Sequence, residues 1–136
     1  MKNIISIIIL IQAVTQAADE KFKDFPSFSR DGVSIYKNID GVDFDPGLPK
    51  KISFVPVEKV VETSEKFLQK TFGGNFIAPI KQVSFERHLG DGGVFVWCWV
   101  ITYFDPNTLH DIDTVQIFHV YLDVAGELLM EVRQKE

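Results

Sequence analysis

The residues best suited to proton chemistry are His119 and Tyr121, two positions apart and so on the same side of any strand that carries them. A histidine titrates near neutral pH, but it acts as a general base only when a pocket encloses it and a second group orients its ring. Tyr103 or His88 on a neighbouring strand would supply that group in the right register. The plainer reading, and the favoured one, is a partly buried histidine bonded to a neighbour. His110-Asp111-x-Asp113 joins an imidazole to carboxylates in a loop, yet three close donors need further ligands from distant chain to make a metal centre. Asp40, Asp43 and Asp45 lack the alternating ligands, sixth-position Gly and closing Glu of a calcium loop, and read as turn formers. Neither a metal nor a cofactor is expected. The sequence holds no Gly-x-Ser-x-Gly elbow, zinc-type Cys/His spacing or phosphate-cradling Gly loop, and the glycines at 90–93 suit a hairpin.

The element that positions these side chains is the stretch 94–104, VFVWCWVITYF, which has no charge, Pro or Gly. Alternation puts Val94, Val96, Cys98, Val100, Thr102 and Phe104 on one side, and Phe95, Trp97, Trp99, Ile101 and Tyr103 on the other. Both sides are apolar, so the strand belongs in the middle of its sheet with both faces covered. The slimmer side is expected under a helix. The aromatic side then needs another cover: the N-terminal segment with Phe22, Phe25 and Phe28, a second subunit, or a ligand. Phe95, Trp97, Trp99 and Tyr103, with His119 and Tyr121, are therefore the candidate ligand- or partner-binding residues. Cys98, the only cysteine, sits between two tryptophans and reads as a buried small hydrophobe.

Around this stretch the chain divides simply. Residues 18–50 form an N-terminal arm and loop, with a short strand at 32–36. Residues 51–136 form one α+β domain: a strand at 51–55, one main helix over 56–72, and a meander antiparallel sheet of about four strands. The helix follows from Val57, Val60, Val61, Ser64, Phe67, Leu68 and Phe72, one apolar stripe, stopped by Gly73-Gly74. The strands are read at 81–88, 94–104, 113–124 and 127–133, the last closing the sheet after an Ala125-Gly126 turn.

Residues 1–17 have the anatomy of a secretory signal: Lys2, an apolar run at 4–11, and small residues ending at Ala17. The run is shorter than the roughly 20 residues needed to span a bilayer, so no stable membrane insertion is expected after cleavage. Removing 17 of the 136 residues leaves 119, and the formal charge moves from −5 to −6 as Lys2 departs. That balance excludes a nucleic-acid partner, and the chain is expected to be secreted or periplasmic.

The closing hairpin, YLDVAGELLMEV at 121–132, joins an aromatic-rich strand to an Asp-x-x-Gly-type turn and an apolar strand. With one helix followed by antiparallel strands, it resembles the cystatin-like and PepSY-like extracytoplasmic domains over roughly 56–132. Inhibitory cystatins carry a Gln-x-Val-x-Gly hairpin and a Pro-Trp pair. Gln82-Val83-Ser84-Phe85-Glu86 departs from the first and the second is missing, so the resemblance implies no protease-inhibiting residues. It implies a binding or inhibitory module. The leading expectation is thus a non-enzymatic exported domain that binds a protein or small apolar ligand through the sheet face opposite the helix. The alternatives are a cone-shaped α+β enzyme with a His/Tyr/Asp pocket, and a self-associating protein using the aromatic face in a homodimer.

Overall fold

The computed structural model describes residues 9–12, 25–39, 55–89 and 95–135. Phe22, the expected cleavage site, the loop with Asp40, Asp43 and Asp45, most of the strand read at 51–55, and the glycines at 90–93 lie outside the described residues. The fold is α+β. In chain order it comprises β1 (Ile9–Gln12), β2 (Phe28–Arg30), β3 (Val33–Lys37), α1 (Val57–Phe72), β4 (Ile80–Leu89), β5 (Phe95–Phe104), β6 (Ile117–Asp123) and β7 (Met130–Gln134). Among the described residues no helix is long and apolar enough to cross a membrane.

The apolar ribbon is central, as its composition requires. β5 pairs antiparallel with β4, Trp99 opposite Phe85, and with β6, Ile101 opposite Val120. Ile9–Gln12 adds a parallel strand to the outer edge of β4, Ile9 opposite Val83. A second antiparallel sheet runs β2-β3-β7. Its hairpin turns at Asp31-Gly32, both with positive φ, 53° and 79°. Left-handed backbone at both turn residues matches the twist of the flanking strands, which is why Asp-Gly suits a two-residue hairpin.

The expected four-stranded meander is corrected here, because the closing strand leaves it. Gly126, with φ 85°, turns the chain back, and Leu128 bridges Leu122. Leu129 then donates its N–H to Tyr121 C=O and accepts from Asn38 N–H. From Met130 onward the chain pairs with β3 over five positions, Lys37 opposite Met130 through Val33 opposite Gln134. The arm read at 18–50 thus contributes two strands, β2 and β3, to the sheet that β7 completes. The strand read at 113–124 also starts later, because Asp111 organises a turn: its side chain accepts the Asp113 N–H and its carbonyl the Thr114 N–H.

The helix begins after Pro56, whose extended ψ of 143° makes it the cap, and ends at Gly73, whose N–H bonds Gln69 C=O. Val60, Val61, Ser64 and Leu68 are its buried residues. They meet the aromatic side of β5. Trp97, Trp99, Ile101 and Tyr103 share one core with these helix residues, with Phe85 and Val83 of β4, and with Phe118, Val120 and Leu122 of β6. The expectation that the slim side faces the helix is therefore reversed. The helix stripe is slim at Val60, Val61 and Ser64 and leaves room there for large rings; Tyr103 fits because Ser64 is small and bonds its hydroxyl at 2.7 Å. The arm contributes Phe28, stacked on Phe118 with centroids 4.3 Å apart, whereas Phe25 is 64% exposed.

Candidate functional site

With the aromatic side beneath the helix, the opposite sheet face is carried by Ser84, Glu86 and His88 of β4, the even-numbered residues of β5, and His119 and Tyr121 of β6. A small second core lies there, Cys98, Val100, Tyr121 and Leu129, with Ile39 and Met130 against it. Beside this core the polar side chains link up. Lys37, the last residue of β3, places Nζ 2.7 Å from His88 Nδ1. His88 Nε2 lies 3.1 Å from Glu86 Oε1, and the Ser84 hydroxyl donates to Glu86 Oε2.

The protons along this chain follow from its first member. An ammonium group has only hydrogens to give, so His88 Nδ1 must offer its lone pair. The ring hydrogen then sits on Nε2 and is donated to Glu86. His88 is thus a neutral imidazole between a cation and an anion, and the His88–Glu86 contact is a hydrogen bond to a charged acceptor. The link is well buried: the His88 side chain is 5% exposed and that of Glu86 13%. Burial alone pushes the Glu86 carboxyl up. The hydrogen bonds from His88 and Ser84, with the charge that His88 and His119 take on in acid, outweigh it and hold the carboxyl below its usual range.

Tyr121 is the floor of the cluster. Lys37 Nζ sits 4.9 Å from its ring centre, a cation over an aromatic face, and His88 meets its edge at 5.6 Å. His119 stands alongside, ring centroid 6.1 Å from that of Tyr121. Its Nδ1 lies 2.9 Å from Thr102 Oγ1, the residue directly opposite on β5. Burial lowers the His119 pKa; the Glu86 charge opposes this, and the positive charges of Lys37 and Lys81 add to it. The imidazole is therefore neutral at neutral pH, with one nitrogen fixed by Thr102. Such a group accepts or gives a proton at the other nitrogen, or hydrogen-bonds a ligand there.

The sequence-predicted residues fall into two sets. His119 and Tyr121 belong to this face. Phe95, Trp97, Trp99 and Tyr103 lie on the other, where Tyr103 is wholly buried, Trp99 is 4% exposed and Trp97 9%. Of the two orienting partners named for His119, Tyr103 is on the wrong face. His88 is on the right one, but its bonds go to Lys37 and Glu86. Lys37, Ser84, Glu86 and Thr102 join the site without being marked as candidates by sequence. The signal for two of them was Ser84-x-Glu86-x-His88, three polar residues on one side of a strand that pairs with the most apolar stretch in the chain. No family model, curated protein or solved structure matches this chain.

Proposed function

We propose that this chain is an exported, non-enzymatic binding domain whose recognition surface is the sheet face opposite the helix, centred on His119 and Tyr121. The expected surface is kept but its residues change: the aromatic set is core, and the polar set takes its place. The observation that carries this reading is the Lys37–His88–Glu86–Ser84 chain. Burying an ammonium and a carboxylate costs more than apolar packing in the same volume would, so such a chain is more at home in a site than in a plain core. It fixes Tyr121 and the neighbouring His119 in one arrangement, ready for a protein segment or small ligand that brings a polar group to the imidazole.

Histidine-labelled protein in an NMR fragment screen tests this. Ligands that move His119 and Tyr121 signals while leaving the Trp97 and Trp99 indoles in place support it. A screen in which the indoles respond and His119 does not would return the site to the aromatic side.

One observation favours a second reading, a small acid–base enzyme. His119 is neutral at neutral pH and held at Nδ1 by Thr102, the state a general base needs. Under that reading a substrate proton goes to Nε2, and His119→Gln abolishes turnover without loss of ligand binding.

A further inference from the structure

Arg87 and Trp97 stand directly opposite each other across β4 and β5, on the helix side of the sheet. The Arg87 guanidinium lies over the Phe95 ring, its central carbon 4.3 Å from the ring centre. Trp97 stacks on Phe85, centroids 5.2 Å apart and planes 13° apart. Arg87 Nε and Trp97 Nε1 are both shut off from solvent, and neither has a hydrogen-bond acceptor. Acids are not scarce in this chain, which has nineteen, and the other two arginines have carboxylate partners: Arg30 with Asp31 and Arg133 with Glu131. All three lie over an aromatic ring, and Arg87 alone of them has no carboxylate partner among the described residues.

A guanidinium cannot shed its charge to relieve burial, and an indole N–H has nothing to do but donate. Two such donors on neighbouring cross-strand residues, both without acceptors, lack the same kind of partner. A carboxylate matches them: it is planar, takes two parallel bonds from the arginine fork, and has lone pairs left for the indole. One arginine sets the ligand charge at minus one. The rings of Phe95 and Trp97 make the surroundings apolar, and the half-buried Arg87 and Phe95 stand where the cluster reaches the surface. We propose that Arg87, Trp97 and Phe95 form a binding site for a small monocarboxylate with an apolar ring or chain. Its entry draws the half-buried Arg87 side chain aside, so that its oxygens accept from Arg87 Nε and Trp97 Nε1, and its apolar part lies against Phe95. This site is separate from the His119 face and does not depend on that reading.

The test follows the Trp97 indole and Arg87 Nε–H signals of the full chain by two-dimensional NMR while sodium benzoate is added, with benzamide as the uncharged probe of the same shape. Benzoate is expected to shift both signals saturably, and benzamide at least about tenfold more weakly, since it lacks the charge-assisted bonds. Arg87→Gln, which keeps a donor but loses the charge and the fork, is expected to abolish the benzoate response while the Trp99 indole signal holds its position. Equal responses to the two probes, or none to benzoate, overturn the proposal in the unaltered protein without reference to any variant. A full benzoate response in Arg87→Gln overturns it as well.

Discussion

Lys37 Nζ sits 2.7 Å from His88 Nδ1, so a side chain from the second sheet reaches over Tyr121, past β6 and β5, to β4. This fixes the tautomer. Nitrogen NMR at neutral pH is expected to find His88 unprotonated at Nδ1 and protonated at Nε2. Lys37→Met removes the donor, frees the tautomer, and costs about 1–3 kcal/mol in denaturant unfolding, the range for stranding a buried hydrogen-bonding group. A wild-type His88 protonated at Nδ1 contradicts the assignment.

Acid is expected to weaken the fold in two steps of the same sign. His119 has a lowered pKa in the folded state, so its contribution is present above the unfolded value of about 6.5 and is lost as pH falls through the folded one. Glu86 is also lowered, so its contribution is present above about 4.3 and is lost at lower pH as the carboxyl protonates. Urea midpoints across a pH series report both. His119→Gln should remove the upper step and Glu86→Gln the lower; a midpoint that rises on acidification refutes both.

The Ser64 and Tyr103 hydroxyls meet at 2.7 Å where the helix touches β5. Burial raises the Tyr103 pKa, so the phenol stays protonated through any ordinary pH. Tyr103→Phe and Ser64→Ala each strand the other hydroxyl and should cost about 1–3 kcal/mol. The double variant should cost less than the sum, by about 0.5–3 kcal/mol of coupling. Strict additivity in calorimetry would mean the hydroxyls do not interact.

Trp97 and Trp99 are core residues, and truncating either to Ala should cost about 3–5 kcal/mol. Sedimentation of the fraction still folded should show no change in association. Wild-type stability in both variants would place the rings outside the core.

Under the proposed export, cleavage before Ala18 would remove β1 and uncover the outer edge of β4. Mass spectrometry of the exported protein should show Ala18 first. Hydrogen exchange should then be faster at residues 83–86 than in the full chain, while β5 stays equally protected.

The helix and β5 were legible because each carries one repeated pattern, a 3.6-residue stripe and an uncharged run. Alternation along β5 separated its two faces correctly. It did not say which one meets the helix, since that depends on how Val60, Val61 and Ser64 fit the rings, a matter of shape between distant segments. Nothing in the local pattern marks Lys37 or Glu86 as covered; both are, because the second sheet folds toward β4. The Asp31-Gly32 turn was a signal for β2 and β3 that the short strands beside it obscured. What stayed hidden at the candidate site was pairing between side chains 51 residues apart.

The Ser27 hydroxyl accepts the His119 N–H at 3.2 Å and donates to the His119 carbonyl. One side chain thus does for this position of β6 what a whole neighbouring strand does elsewhere. β7 has gone to the other sheet, so beyond the Leu122–Leu128 bridge and the Leu129–Tyr121 bond the seal at His119 is a single oxygen atom. Taking it away, as in Ser27→Ala, would leave the globule folded but sticky, with a bare amide and carbonyl inviting another chain to lie alongside.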